Sequence, residues 1–132
     1  MADMEGRGSR AQAVIAIVLV LLGLQLLHNA KLAESTTYTV GDENGWSNGV
    51  LYWPNGKTFY AGDVLEFKYL KNSRNVLELT DYSDYEACTA RSYINAYVSG
   101  DDYVELRSGN TYFIDGIPGH CSNGAKIAVT AL

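Results

Sequence analysis

The chain has 132 residues, ten basic and fifteen acidic side chains, a net charge of −5 and 47% hydrophobic residues. That length suits a leader and one compact domain with a single core, and leaves no room for a second domain. The acidic balance argues against binding nucleic acid, anionic lipid or a pectin-like polyanion through a general positive field.

Arg7 and Arg10 precede an apolar run from Ala13 to Leu27, interrupted only by Gly23 and Gln25, and small residues follow at Ala30 and Ala33. This is the pattern of a secretory signal peptide, cleaved near Ala30 or Ala33. A membrane anchor is the competing reading, but the run falls short of the roughly 20 apolar residues needed to span hydrocarbon. Residues 1–33 are therefore read as the leader and 34–132 as the mature domain. Met1, Met4, His28, Arg7, Arg10, Lys31, Asp3 and Glu5 leave with the leader; seven basic and thirteen acidic side chains remain, a net charge of −6 with one histidine and no methionine.

Apolar alternation broken by Gly, Asn and Asp turns predicts short strands along the mature chain. The first is Thr37 to Val40, ended by Gly41-Asp42. Val64 to Tyr69 follows, with Leu65, Phe67 and Tyr69 on one face and Glu66 and Lys68 on the other. Next come Val76 to Thr80, a short helix over Tyr85 to Ala90 carrying Cys88, then Tyr103 to Leu106, Thr111 to Ile114 and the closing strand Lys126 to Ala131. The expected architecture is all-β, a Greek-key sandwich with one short helix.

Cys88 and Cys121 are read as one disulfide, because a secreted domain matures in an oxidising compartment. The alternative is a reactive or metal-binding thiol at Cys121 beside His120, which leaves Cys88 unpaired outside the cell. No nucleophile elbow or paired catalytic acid accompanies the lone histidine, so no enzyme is predicted.

Tyr38-Thr39-Val40-Gly41-Asp42, Gly45-Trp46, Gly56-Lys57-Thr58-Phe59, Gly62-Asp63-Val64, Tyr112-Phe113-Ile114 and Gly116-Ile117-Pro118-Gly119-His120-Cys121 together resemble the phytocyanins, plant extracellular cupredoxins. The nearest subgroup is that of the plantacyanins, or basic blue proteins. The resemblance covers nearly the whole mature domain and implies a cupredoxin-like fold, a structural Cys88–Cys121 disulfide and a copper site that carries single electrons.

The resemblance also locates the four copper positions, and three of them are replaced. Arg74 stands before Asn75-Val76 where the family has a histidine, and Asp115 stands after Ile114 where it has the thiolate. His120 is kept, and Ala125 takes the place of the axial ligand. Arginine has no lone pair to offer a cation, a carboxylate cannot form the copper–thiolate bond, and alanine has no donor. No cofactor is therefore expected, copper being the alternative that the resemblance carries. Arg74 and Asp115 are expected to face each other as an ion pair where the metal would sit.

All ten tyrosines lie in the mature domain. Tyr38, Tyr69 and Tyr112 are expected in or beside the core, and Trp46 and Trp53 as packing residues. Tyr82, Tyr93 and Tyr97, with His120, form the candidate binding surface, and exposed tyrosines are open to oxidative cross-linking. The chain shows no Asn-x-Ser/Thr sequon and no lipid-anchor tail after the last strand. The expected product is a soluble protein of the apoplast or cell wall, a copper-free binding or signalling module whose partner is an extracellular protein or wall polysaccharide; electron transfer is the other function class.

Overall fold

The structure, a computed structural model, describes residues 2–31 and 34–132. Met1 and Ala33 lie outside the described residues, as do the side chains of Met4, His28 and Ala30. The chain divides into two compact units, Met1–Glu34 and Ser35–Leu132. The first contains a helix, α1 (Ala2–Lys31). Among the described residues no helix is long and apolar enough to cross a membrane.

The second unit is an all-β sandwich. One sheet has three strands: β1 (Thr37–Thr39) runs parallel to β2 (Val64–Lys68), which pairs antiparallel with Asp101–Glu105. The other has four, in which β3 (Val76–Leu79) lies between β4 (Tyr93–Tyr97) and β6 (Gly109–Ile114), and β6 pairs with β7 (Lys126–Ala131); Asp101–Glu105 is β5. Strand alternation builds the core between the sheets. Along β7, Ile127, Val129 and Ala131 are buried while Thr130 faces solvent, and Leu65 and Phe67 meet them from β2. Trp46, Phe67 and Phe113 form a row with ring centroids 5.1 and 5.0 Å apart. Truncating Phe67 to alanine would open a cavity at a cost of about 3–5 kcal/mol.

A second apolar cluster lies on the other side of the four-stranded sheet, where Leu79, Ile114, Tyr85 and Cys121 pack together. It is covered by α2 (Tyr82–Ala87) and held by the Cys88–Cys121 disulfide, whose Cα atoms are 5.8 Å apart. The helix begins three residues earlier than its composition suggests, because the Asp81 side chain accepts from Ser83 N and caps it. Cys88 lies beyond the last helical residue, in the left-handed conformation of a C-cap, rather than within the helix.

The closing strand has the predicted bounds, and the others differ at their ends. β4 was not predicted: four of its five residues are exposed, so Tyr93–Tyr97 shows no alternation to read. Its register against β3 shifts between Glu78 and Leu79.

Candidate functional site

Strand pairing brings distant residues together at one end of the four-stranded sheet. Leu77 of β3 pairs with Ile114 of β6, and Ile114 pairs with Lys126 of β7. The residues just beyond these pairs, Arg74 and Asn75 before β3, Asp115 after β6 and Ala125 before β7, therefore converge. The amide of Asp115 donates to the carbonyl of Ala125 at 2.9 Å, which continues the ladder by one step. His120 comes from the connecting loop, where its backbone leads into a short 3-10 turn, Cys121–Asn123.

Asp115 is the centre of this group, and its carboxylate is fully enclosed. Arg74 Nη1 donates to Asp115 Oδ2 at 3.1 Å and His120 Nδ1 reaches the same oxygen at 2.8 Å. The other oxygen, Oδ1, accepts from Ile117 N at 3.0 Å and Asn75 N at 3.4 Å. Four donors thus converge on one buried carboxylate, which is how an isolated buried charge becomes tolerable. Arg74 Nη1 also donates to Asn48 Oδ1 at 2.9 Å, so the guanidinium is held from two sides.

Asn48 escaped the sequence reading because it carries no ligand chemistry. Its loop is fixed by backbone contact: a Cβ placed on Gly124, whose φ is +106°, would lie 2.3 Å from the Asn48 carbonyl oxygen. Asn75 is a second unpredicted participant. Its carbonyl accepts from Trp46 Nε1 at 2.9 Å and its side-chain oxygen accepts from Gly116 N at 2.6 Å, tying β3 to the loop after β6.

The residues present do not fit a blue-copper centre. Such a site needs two imidazoles, a thiolate and a weak axial ligand. Here the single imidazole is engaged with Asp115, the other side chain on that carboxylate is a guanidinium, both sulfurs are joined in the disulfide, and the buried Ala125 offers no donor. Among the described residues no group of three His, Cys, Asp or Glu side chains is placed to share a metal ion.

The tyrosines are spread over separate surfaces. Tyr82 is exposed and rests on Tyr85 and Tyr112, with centroids 5.8 and 5.7 Å away. Tyr97 pairs with Val76 on the core side of β3, whereas Tyr93 pairs with Leu79 on the opposite side, because the register shift reverses the alternation. The two therefore do not form one patch, and His120 belongs to the Asp115 group. Tyr38, Tyr69 and Tyr97 pack against the core, and Tyr112 against the outer cluster.

Three tyrosines donate to carboxylates: Tyr69 to Asp102, Tyr97 to Glu78 Oε1 at 3.2 Å, and Tyr103 to Glu66 Oε2 at 2.6 Å. Burial pushes the phenol of Tyr69 up and that of Tyr97 up to about 12. The hydrogen bond to Glu66 raises Tyr103 to about 12, and the same bond holds Glu66 below the ordinary carboxyl value.

Comparison with known proteins gives concordant matches. Residues 43–125 match the family model described as a plastocyanin-like domain. The chain is 48% identical over 128 residues to chemocyanin of Lilium longiflorum, an alignment covering 96% of this chain and 98% of that protein. It is 40% identical over 128 residues to a basic blue protein of Arabidopsis thaliana, covering 97% and 98%. The solved structure of cucumber basic protein, a blue copper protein, superposes with a TM-score of 0.69 at 41% identity, covering 74% of this chain and all of that one.

Proposed function

Because the chain belongs to the phytocyanin family of plastocyanin-like domains, and because its own residues depart from the donor set of a blue-copper site, we propose that it is a copper-free, non-enzymatic binding module. The observation that carries this reading is the Arg74–Asp115–His120 group. A guanidinium, which repels cations and offers no lone pair, is hydrogen-bonded to the carboxylate that replaces the thiolate. The group closes the site with the protein's own charges. With the leader 1–33 removed, the domain acts outside the cell, and its partner is an extracellular protein or a wall polysaccharide.

Electron transfer through bound copper is the second reading, favoured by the blue-copper names of relatives such as the cucumber protein. A copper titration of the disulfide-intact domain, followed by absorption and EPR, separates the two. The triple variant Arg74→His, Asp115→Cys, Ala125→Met serves as the positive control. The expected result is a colourless native protein with weak copper binding and a blue variant. An intensely coloured, tight native complex would restore electron transfer.

A further inference from the structure

Of the ten tyrosines, Tyr52, Tyr60, Tyr82, Tyr93 and Tyr103 are exposed. Exposure alone ranks Tyr52 first, at 74% against 58% for Tyr103. Tyr103 differs in what its hydroxyl touches. Thr39, Glu66 and Tyr103 form a row across the outer face of the three-stranded sheet, set by the pairings Thr39 with Glu66 and Glu66 with Tyr103. Thr39 Oγ1 donates to Glu66 Oε1 at 2.9 Å and the Tyr103 hydroxyl donates to Oε2 at 2.6 Å. Among the described residues, the other four exposed tyrosines donate to no carboxylate. Tyr69 and Tyr97 have carboxylate acceptors, but their rings are packed against the core.

Removing one electron from a phenol at neutral pH requires its proton to leave with the electron. A carboxylate already hydrogen-bonded to that hydroxyl is a positioned base for this transfer. Glu66 suits the task because its Oε2 already accepts the Tyr103 hydroxyl proton at 2.6 Å, and it is ionised at neutral pH. Lys68 Nζ, 3.7 Å from Oε2, adds a positive charge that holds the carboxylate in that form. The Tyr103 ring stands in solvent, where a second phenol can reach it.

We infer that Tyr103 is a site of oxidative phenolic coupling through which two copies of this chain are joined. The co-reactants are a haem peroxidase and hydrogen peroxide. In each copy the Tyr103 oxygen gives one electron to the oxidised peroxidase and its proton to Glu66, leaving a neutral phenoxyl radical. Two radicals combine by a carbon–carbon bond between ring positions ortho to the oxygens. Each ring then loses its ortho hydrogen as a proton while its oxygen regains one, restoring the aromatic ring and the Glu66 carboxylate. Two tyrosines and one hydrogen peroxide thus yield one dityrosine and two waters.

The test is to treat the purified protein with a haem peroxidase and hydrogen peroxide, follow dityrosine fluorescence, and map the cross-linked peptides by mass spectrometry. The expected product is a covalent dimer linked Tyr103 to Tyr103. Glu66→Gln is expected to slow its formation at least about tenfold, against the ~10²-fold or more that a positioned base contributes. Tyr52→Phe, which removes a tyrosine with no carboxylate acceptor, should leave the rate unchanged. Cross-links mainly at Tyr52, an unaltered rate in Glu66→Gln, or no dityrosine would each overturn the assignment. The map of the unsubstituted protein decides the case even if Glu66→Gln does not fold.

Discussion

Arg74 and Asp115 lie 41 positions apart in the chain and meet at 3.1 Å, with the carboxylate fully enclosed and the guanidinium side chain 19% exposed. The carboxylate is held by this cation, by His120 and by two backbone amides, so its loss affects several donors together. Asp115→Ala is expected to lower unfolding free energy by about 3 kcal/mol, at the lower end for a broken buried pair because Arg74 keeps partial access to water. Urea unfolding measures it. A cost below ~1 kcal/mol would put the pair in the class of weak surface bridges.

Asp115→Cys alone is expected to remain colourless with copper. It places a sulfur at residue 115 but leaves Arg74 supplying a charge and no lone pair, and Ala125 supplying nothing. Absorption spectra with and without copper check this, and adding Arg74→His and Ala125→Met together is the step expected to bring colour.

Tyr97 provides an alkaline test of the interior. Burial raises its phenol from the ordinary 10.0 to about 12, with the Glu78 charge adding to the effect. A group whose folded pKa exceeds its unfolded value contributes stability below the unfolded pKa and loses it as pH rises through the folded one. The stability difference between the native protein and Tyr97→Phe should therefore be constant below pH 10.0 and shift against the native protein as pH climbs to about 12. Unfolding curves across that window measure it.

Gly124→Ala is expected to cost about 2–3 kcal/mol, since it forces a side chain into a left-handed conformation. The new methyl would also meet the Asn48 carbonyl at 2.3 Å, so the Asn48 loop must move. Loss of the Arg74–Asn48 hydrogen bond, seen by NMR at the Asn48 side-chain amide, should accompany the drop in stability.

Opening the disulfide is expected to lower stability by ~4 kcal/mol on the chain-entropy account, given the 33-residue separation of Cys88 and Cys121. Denaturation of a Cys88→Ser, Cys121→Ser variant measures it.

Legibility in the sequence followed burial contrast. β7 could be read because Ile127, Val129 and Ala131 are buried while intervening residues are less so. β4 could not, because a mostly exposed edge strand has no such contrast and its pairing is set by β3. At the site, Arg74 and Asp115 were legible only through resemblance, which marked them as replacements for two ligands of one ion. Asn48 and the amides of Asn75 and Ile117 act through geometry that a one-dimensional pattern does not encode. Glu66 was placed correctly on the outward side of β2, but the hydroxyl that donates to it comes from Tyr103, on a strand more than thirty positions away.

The mutual dependence of Arg74 and Asp115 also constrains sequence change. Replacing Arg74 first leaves an enclosed carboxylate without its cation, and replacing Asp115 first leaves a cation facing a site without its counter-charge. The effect of either change depends on the residue at the other position. Changing either residue alone is therefore expected to cost more than changing both together, which ties the identity of position 74 to that of position 115.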